Sequence, residues 1–301
     1  NLAARGGTLL VRTGLPEDIV YQEAVRHQAQ AVYTANEMAP DELRMLRAAE
    51  RKLASSGIAL HCYEMNSLYQ YSDIPWPIQR LPDVFTTFRK ELEAEATVRL
   101  SFRAPDSIHG LSPQVADDNF PAAPVQPTRP GLPQAITYPG GEWAAQQRLY
   151  EYFWGHDLLR RYKETRDGMI GPDYSSKFSP ALALGCLSPR YVYEQVKLYE
   201  QQRVANESTY WLIFELMWRD YFRFVMKKYG ARSFQSQGLR SMAPTWKNDR
   251  SAFSRWCMGE TGVRFVDANM RELLLTGFMS NRGRQNVASF LTKDLGLDWR
   301  W

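Results

Sequence analysis

The first hundred residues alternate between short β-prone runs and amphipathic helical runs. In chain order they predict strand, helix, strand, helix and strand at residues 8–12, 16–28, 31–34, 41–55 and 58–63. This β-α-β-α-β order is typical of a parallel sheet covered by helices. Three strands make a small and poorly covered sheet. The pattern therefore predicts an incomplete, Rossmann-like α/β domain over residues 1–100.

The pattern changes after this domain. Eight of the 17 prolines fall between Pro105 and Pro139, so residues 101–141 are interpreted as an interdomain linker. Beyond it, aromatic and aliphatic residues recur three and four positions apart. They predict an all-α domain over residues 142–301, with helices at 142–167, 189–204, 208–229 and 266–276.

Composition narrows the class of protein. The hydrophobic fraction of 44% is ordinary for a globular chain, and the most apolar stretch, residues 210–226, contains four charged residues, which argues against a membrane span. Cys62, Cys186 and Cys257 are far apart and odd in number, so neither a disulfide framework nor a metal site is expected. Nothing near Asn1 is typical of a secretion signal. We expect the protein to be located in the cytoplasm if it is bacterial, and in an organelle or the nucleus if it is eukaryotic.

The charge is distributed unevenly along the chain. Residues 1–141 carry a net charge of −3 and residues 142–301 carry +7. A polyanion such as DNA would account for the basic second half, because neutralised phosphates release counterions. A solvated helical surface would account for it as well, and charge alone favours that reading.

A carboxylate and a guanidinium interrupt the most apolar helix. Glu215 and Arg219 are four residues apart on one face, beside Trp218 and Phe222. Burying charges is costly unless they pair with each other or with a polar ligand. The helix alone leaves both hypotheses open, a structural ion pair and a binding site.

Two further groups are candidates for ligand binding. Three serines and a lysine in DYSSKFSP, residues 173–180, precede a helical run at 181–187, and they could bind an anion or simply cap that helix. Four polar side chains lie in NRGRQ, residues 281–285, and they suit a heteroaromatic ring or an ordinary polar loop. The sequence has no GxGxxG, no Walker loop and no His/Cys cluster.

Together, these groups resemble the photolyase/cryptochrome family. The correspondence runs over nearly the whole chain, through YSSKFSPALALGCLSPR at 174–190, ELMWRDYF at 215–222 and WCMGETGVRFVDANMRELLLTGFMSNRGRQNVASFLTKDLGLDW at 256–299. The wording of GPDYSSKFSPALALGC, STYWLIFELMWRDYFRF, TGFMSNRGRQ and LPDVFTTFRKELE resembles the DASH branch of that family.

The resemblance implies a helical FAD-binding domain, an antenna-type α/β domain and light-driven splitting of cyclobutane pyrimidine dimers by electron transfer from reduced flavin. It implies single-stranded DNA as the preferred partner, a monomer, and 5,10-methenyltetrahydrofolate as an antenna near Glu37. By the motif match, the residues expected to contact FAD are Tyr162, Ser175, Ser176, Lys177, Phe178, Ser179, Glu215, Arg219, Asn281, Arg282 and Arg284.

The same match implies roles toward DNA and electrons. Glu215 is expected to hydrogen-bond the dimer, and Trp218 to stack on an extruded base. The further DNA contacts implied are Arg219, Phe222, Asn281 and Gln285. Trp246 and Trp299 match the distal and middle members of an electron-transfer chain of tryptophans.

Two departures from the family pattern lie at the ends of the chain. The family pattern places a further strand before Asn1 and, after Trp301, a segment that completes the flavin site, so the chain without them is expected to bind FAD weakly.

The alternative function is a blue-light photoreceptor or transcriptional regulator that binds FAD and DNA without repair. Retention of Glu215 and Trp218 favours the enzyme, a deoxyribodipyrimidine photolyase.

Overall fold

The computed structural model describes residues 2–110, 139–240 and 244–301. The chain divides into two compact units. Unit 1 comprises Asn1–Met65 and Leu100–Gly131, and unit 2 comprises Asn66–Arg99 and Leu132–Trp301. Most of the predicted linker, residues 111–138, lies outside the described residues.

Unit 1 is built on two parallel strands and two helices. A 3-10 turn at Ala3–Arg5 precedes α1 (Pro16–Arg26), β1 (Ala31–Ala35), α2 (Pro40–Ala54) and β2 (Ala59–Tyr63). Both helices begin with proline and have acidic residues in the first turn, which suits the positive end of the helix dipole. The strands pair in parallel from Ala31 with Ala59 to Ala35 with Tyr63, over a small core of Ala24, Leu53 and Ile58.

The prediction of a strand at residues 8–12 is wrong. Within the described part of the chain, the sheet contains β1 and β2 alone. A local pattern reports that a segment suits an extended conformation, but a strand is stabilised by the ladder that it forms with a neighbour. Residues 8–12 take no place in this ladder.

Unit 2 is helical. Its α-helices are α3 (Phe85–Glu95), α4 (Glu142–Tyr150), α5 (Tyr162–Thr165), α6 (Ser179–Ala183), α7 (Pro189–Gln202), α8 (Glu207–Tyr229), α9 (Arg250–Met258), α10 (Arg264–Thr276) and α11 (Asn281–Ser289). Short 3-10 helices lie at Tyr71–Asp73, Ile78–Arg80, Leu159–Arg161 and Gly230–Phe234, and π-helical turns at Glu151–Gly155 and Phe290–Asp294. None of the helices in the described ranges is long and apolar enough to cross a membrane.

The single helix predicted at 142–167 is instead several short ones. The α-helix ends at Tyr150, continues as the π-helical turn Glu151–Gly155, and the backbone turns at Asp157, whose φ is 53°. A left-handed residue cannot continue a right-handed helix. The helix predicted at 181–187 is likewise shorter, covering Ser179–Ala183, with Gly185 at a φ of 70° beyond it.

Helix α8 lies at the centre of unit 2. It begins at a capping box formed by Asn206 and Thr209, and it buries Leu216, Met217 and Phe224. It carries one fully buried carboxylate, Asp220, which accepts hydrogen bonds from the backbone N–H groups of Leu68 at 3.1 Å and Tyr69 at 2.8 Å.

These contacts explain why residues 66–99 group with the helical unit. Phe85 and Phe88 of α3 pack edge-on or tilted against Tyr221 of α8, with ring centroids 5.6 and 5.1 Å away. The predicted α/β domain is continuous to residue 100, whereas residues 66–99 of that range belong to unit 2. A local sequence pattern cannot show that a distant carboxylate, Asp220, accepts hydrogen bonds from this segment.

Candidate functional site

Unit 2 contains a cavity of about 520 Å³ where α5, α6, α8 and α11 meet the segments 174–178 and 277–279. Its walls combine hydroxyls, cations, one carboxylate and several rings. The lining residues are Tyr162, Arg166, Tyr174, Ser175, Ser176, Lys177, Phe178, Ser179, Pro180, Ala183, Glu215, Gly277, Phe278, Met279, Asn281 and Arg284. Nine predicted site residues are thereby brought together: Tyr162, Ser175, Ser176, Lys177, Phe178, Ser179, Glu215, Asn281 and Arg284.

Arg148 of α4 holds the serine-rich wall in place. Its guanidinium donates to the carbonyls of Pro172 at 2.9 Å, Ser175 at 3.2 Å and Ser176 at 3.2 Å, and it bonds Asp173 at 3.1 Å. A planar group with several fixed donors suits such a set of carbonyls. The role of Arg148 was not predicted from the sequence, because no helix or strand periodicity relates it to the loop that it holds.

Lys177 lies in this wall in a strained conformation. Its φ is 59°, a left-handed value that is uncommon for a residue with a Cβ and that clusters at functional sites. The residue is 7% exposed, and its ammonium lies 3.2 Å from the ring centroid of Tyr174 and 4.3 Å from that of Phe278.

The Lys177 ammonium has no hydrogen-bond acceptor among the described residues, and burial lowers its pKa to about 8. A buried cation without an acceptor is unfavourable unless an anion completes its hydrogen bonds. Together with the neighbouring serine hydroxyls, Lys177 therefore fits a phosphate-bearing ligand.

Glu215 is the carboxylate of the cavity. Its Oε1 lies 2.8 Å from Nη1 of Arg166 and accepts a hydrogen bond from the indole N–H of Trp211 at 3.2 Å. Burial raises the pKa of Glu215, and the Arg166 charge opposes that rise. The carboxylate is therefore a half-buried acceptor whose charge depends on Arg166.

The hypothesis of an ion pair between Glu215 and Arg219 is wrong. Arg219 donates instead to two backbone carbonyls, that of Asn66 and, at 3.1 Å, that of Leu182. The partner of Glu215 is Arg166, which sequence analysis missed because it lies 49 residues away and outside any helical spacing.

Seven predicted site residues of unit 2 do not line the cavity: Trp218, Arg219, Phe222, Trp246, Arg282, Gln285 and Trp299. The Trp218 indole stacks against Phe85, with ring centroids 3.6 Å apart, and against Phe222, at 5.4 Å. Phe222 is exposed, with 61% of its surface accessible. Arg282 pairs with Asp167 at 2.9 Å and bonds Gln285 at 3.1 Å.

The other two predicted site tryptophans, Trp246 and Trp299, share one hydrogen-bond acceptor. The indole N–H groups of Trp246 and Trp299 donate to the Ser236 oxygen at 3.3 and 3.1 Å. Glu37 belongs to unit 1 and follows β1, where its folate contact stays a prediction. Across the described ranges, no group of three or more His, Cys, Asp or Glu side chains could hold a metal ion.

Comparison with known proteins decides the family. Residues 1–106 match the family "DNA photolyase", and residues 211–301 match "FAD binding domain of DNA photolyase". The chain is 49% identical over 304 residues to a Cryptochrome DASH of Synechocystis, covering 98% of this chain and 61% of the relative. This chain belongs to the photolyase/cryptochrome family. The predicted resemblance is confirmed.

Other photolyase/cryptochrome relatives agree. A Cryptochrome DASH of Natronomonas pharaonis is 49% identical over 304 residues, covering 100% of this chain and 64% of the relative. A crystal structure of the Synechocystis cryptochrome matches with a TM-score of 0.90 at 48% identity, covering 100% of this chain and 62% of that one. The chain thus spans about three fifths of the length of these relatives. The predicted fold class, an α/β domain followed by a helical domain of the photolyase type, is confirmed.

Proposed function

We propose that the full-length protein binds FAD in the cavity of unit 2 and uses it for light-driven repair of cyclobutane pyrimidine dimers in single-stranded DNA. One observation carries the proposal: Lys177, a buried ammonium with no hydrogen-bond acceptor in the described part of the chain, and Glu215, a half-buried carboxylate, line the same cavity. That arrangement gives one cavity a site for a phosphate and a site for a hydrogen-bonding base. When bound, the reduced and photoexcited flavin supplies the electron that splits the dimer.

The serine-rich wall would hold the phosphates and the ribityl chain of FAD. Lys177 and the hydroxyls of Ser175, Ser176 and Ser179 are hydrogen-bond donors of the kind that anionic oxygens require. Tyr162, Phe178 and Arg284 would enclose the cofactor and exclude water. Arg219 and Arg282 would act at the margin, since Arg219 holds the backbone near α6 and Arg282 pairs with Asp167.

The opposite wall would hold the lesion. Glu215 would accept a hydrogen bond from a dimer base, and the Asn281 amide would bond flavin or lesion. Outside the cavity, Phe222 offers an exposed ring on which a neighbouring base could stack, backed by Trp218. Gln285 would contribute a polar contact to DNA at the same margin.

A repair assay on the full-length protein with reduced FAD tests the proposed function. Dimer-containing oligonucleotides, single-stranded and double-stranded, are illuminated, and the remaining dimers are counted. We expect light-dependent loss of dimers, faster on the single strand. A protein loaded with FAD that binds the single strand but leaves its dimers intact under light would contradict repair and favour the photoreceptor.

Lys177 makes FAD affinity depend on pH. Because burial lowers its pKa to about 8, the ammonium attracts phosphate below that pH and loses its charge above it. We expect FAD binding to the full-length protein to weaken roughly tenfold or more between pH 7 and pH 10, since hydrogen bonds to a charged group are lost. Binding by Lys177→Arg, which stays charged, should change much less over the same range. Equal pH dependence in both proteins would contradict a Lys177–phosphate contact.

The tryptophan pair gives a prediction about electron transfer. A route from the surface to the flavin needs ordered aromatic rings, and the common bond to Ser236 orders Trp246 and Trp299. Trp246→Phe and Trp299→Phe in the full-length protein should each slow photoreduction of oxidised FAD. Each loses one hydrogen bond, so the free energy of unfolding should fall by only about 1 kcal/mol. Photoreduction at the wild-type rate in both variants would show that the two indoles serve packing alone.

A further inference from the structure

The ion partner and the hydrogen-bond donor of Glu215 contact the same oxygen. Arg166 Nη1 lies 2.8 Å from Oε1, and the Trp211 indole nitrogen lies 3.2 Å from that same atom. The second oxygen, Oε2, accepts no hydrogen bond from the residues that the structure describes. Glu215 lines the cavity, and among the described residues its hydrogen bond and its nearest ion contact both involve Oε1.

Arg166 and Trp211 also hold each other. The Arg166 guanidinium carbon lies 5.5 Å from the Trp211 ring centroid, and the ring packs against Phe214 with centroids 4.6 Å apart. A second cation, Lys163, lies 4.7 Å from the same ring but pairs with Glu207 at 2.8 Å. The two cations near Trp211 are therefore distinct, since only Arg166 pairs with Glu215.

We propose that Arg166 and Trp211 are positioning residues that hold Glu215 by Oε1 and direct Oε2 toward an imide N–H of a pyrimidine base in the cavity. This inference rests on the proposed function for the identity of the base. An N–H group requires an acceptor, and a carboxylate accepts more strongly than a protonated carboxyl group. Arg166 would thus set both the direction and the charge of Glu215.

The charges around Glu215 support this role. Burial raises the pKa of Glu215 and Asp167 adds to that rise, while Arg166 lowers the pKa. The other ionisable groups on the walls of the cavity are Tyr162, Tyr174, Lys177 and Arg284. Removing an opposite charge at this distance raises a carboxyl pKa by about 1–3 units. Without Arg166, Glu215 would protonate nearer neutral pH and accept more weakly from an N–H donor.

Three variants of the full-length, FAD-loaded protein test the inference. Arg166→Met removes the cation, Trp211→Phe removes the indole N–H, and Lys163→Met is the control that removes an equal charge over the same ring. The Glu215 carboxyl band is titrated by infrared spectroscopy, assigned by difference against Glu215→Gln, and the pH profile of dimer repair is recorded beside it.

We expect Arg166→Met to move the Glu215 titration and the acid limb of repair upward by about 1–3 units. Trp211→Phe should move both in the same direction by less, and Lys163→Met should leave both near the wild-type position. A repair loss in Arg166→Met that is equal at every pH, with an unmoved carboxyl titration, would overturn the inference and leave Arg166 a structural residue.

The two readouts separate this inference from the proposed function. If the wild-type protein repairs no dimers, the proposed function fails, while the infrared titration still tests whether Arg166 sets the charge of Glu215. If Arg166→Met does not fold, Trp211→Phe and Arg166→Lys replace it. Arg166→Lys keeps the charge and should titrate near the wild type, and an unmoved titration in Trp211→Phe would then overturn the inference.

Discussion

Replacing Asp220 with alanine is expected to lower the free energy of unfolding by roughly 2–6 kcal/mol, because each of two buried N–H groups is left without an acceptor at about 1–3 kcal/mol. These are the N–H groups of Leu68 and Tyr69, which donate hydrogen bonds to separate oxygens of the fully buried carboxylate. They connect residues 66–70 to α8. Asp220→Asn keeps one carbonyl acceptor and should lose less.

The charge of Asp220 gives this prediction a pH dependence. Burial raises the pKa of Asp220 to about 6, against the lowering effect of the Tyr69 and Leu68 donors. A carboxyl whose pKa is higher in the folded state than in the unfolded state stabilises the fold fully at low pH, and that contribution is lost as the pH rises through about 6. The stability advantage of the wild type over Asp220→Asn should therefore shrink between pH 4 and pH 7.

Urea unfolding of the full-length protein measures both effects. The matched control is Asp83→Ala, which removes an exposed carboxylate that also contacts α8, through Lys228 at 2.6 Å and the Tyr229 hydroxyl at 2.5 Å. Exposed ion pairs contribute about 0–1 kcal/mol, so the control should lose little stability. Equal small losses in both alanine variants would show that Asp220 does not hold residues 66–70.

The spacing of apolar residues predicted those helices and strands in which one face is buried. The α-β-α-β order of unit 1 and the buried helix α8 follow from apolar spacing, since one face of each element must be covered. The serines and lysine of residues 175–179 and the polar residues Asn281 and Arg284 line one cavity, as the motif resemblance implied.

Other features depended on partners far along the chain. Residues 8–12 have strand propensity without a place in the ladder, and Asp157 breaks a helix whose apolar spacing continues through it. Arg148 and Arg166 hold the cavity from positions 28 and 49 residues away from the groups they contact. A sequence pattern records spacing within an element, whereas these contacts are set by how elements pack.

Replacing Glu215 with glutamine is expected to reduce repair more than stability. The amide keeps the shape of the side chain and an acceptor oxygen but loses the charge, so a hydrogen bond to a dimer base should weaken by about 1–1.5 kcal/mol, roughly a five- to tenfold loss of affinity. Arg166 loses its ion partner as well, but both side chains are partly exposed, at 22% and 28%. The free energy of unfolding should therefore fall by only about 1 kcal/mol.

The reading of Glu215 as a structural residue makes the opposite prediction. If its carboxylate serves only to neutralise Arg166, Glu215→Gln leaves a half-buried cation without its partner, and the melting temperature should fall while repair by the remaining folded protein stays normal. Lys163→Gln, which breaks the exposed pair with Glu207, controls for the loss of another ion pair to α8.

FAD occupancy, melting temperature and repair per absorbed photon, measured on one sample of full-length Glu215→Gln, test the central claim that this cavity repairs dimers. We expect FAD content and melting temperature close to the wild type, with repair per photon reduced. Normal repair per photon with a large fall in melting temperature would contradict the assignment of Glu215 to the repair site.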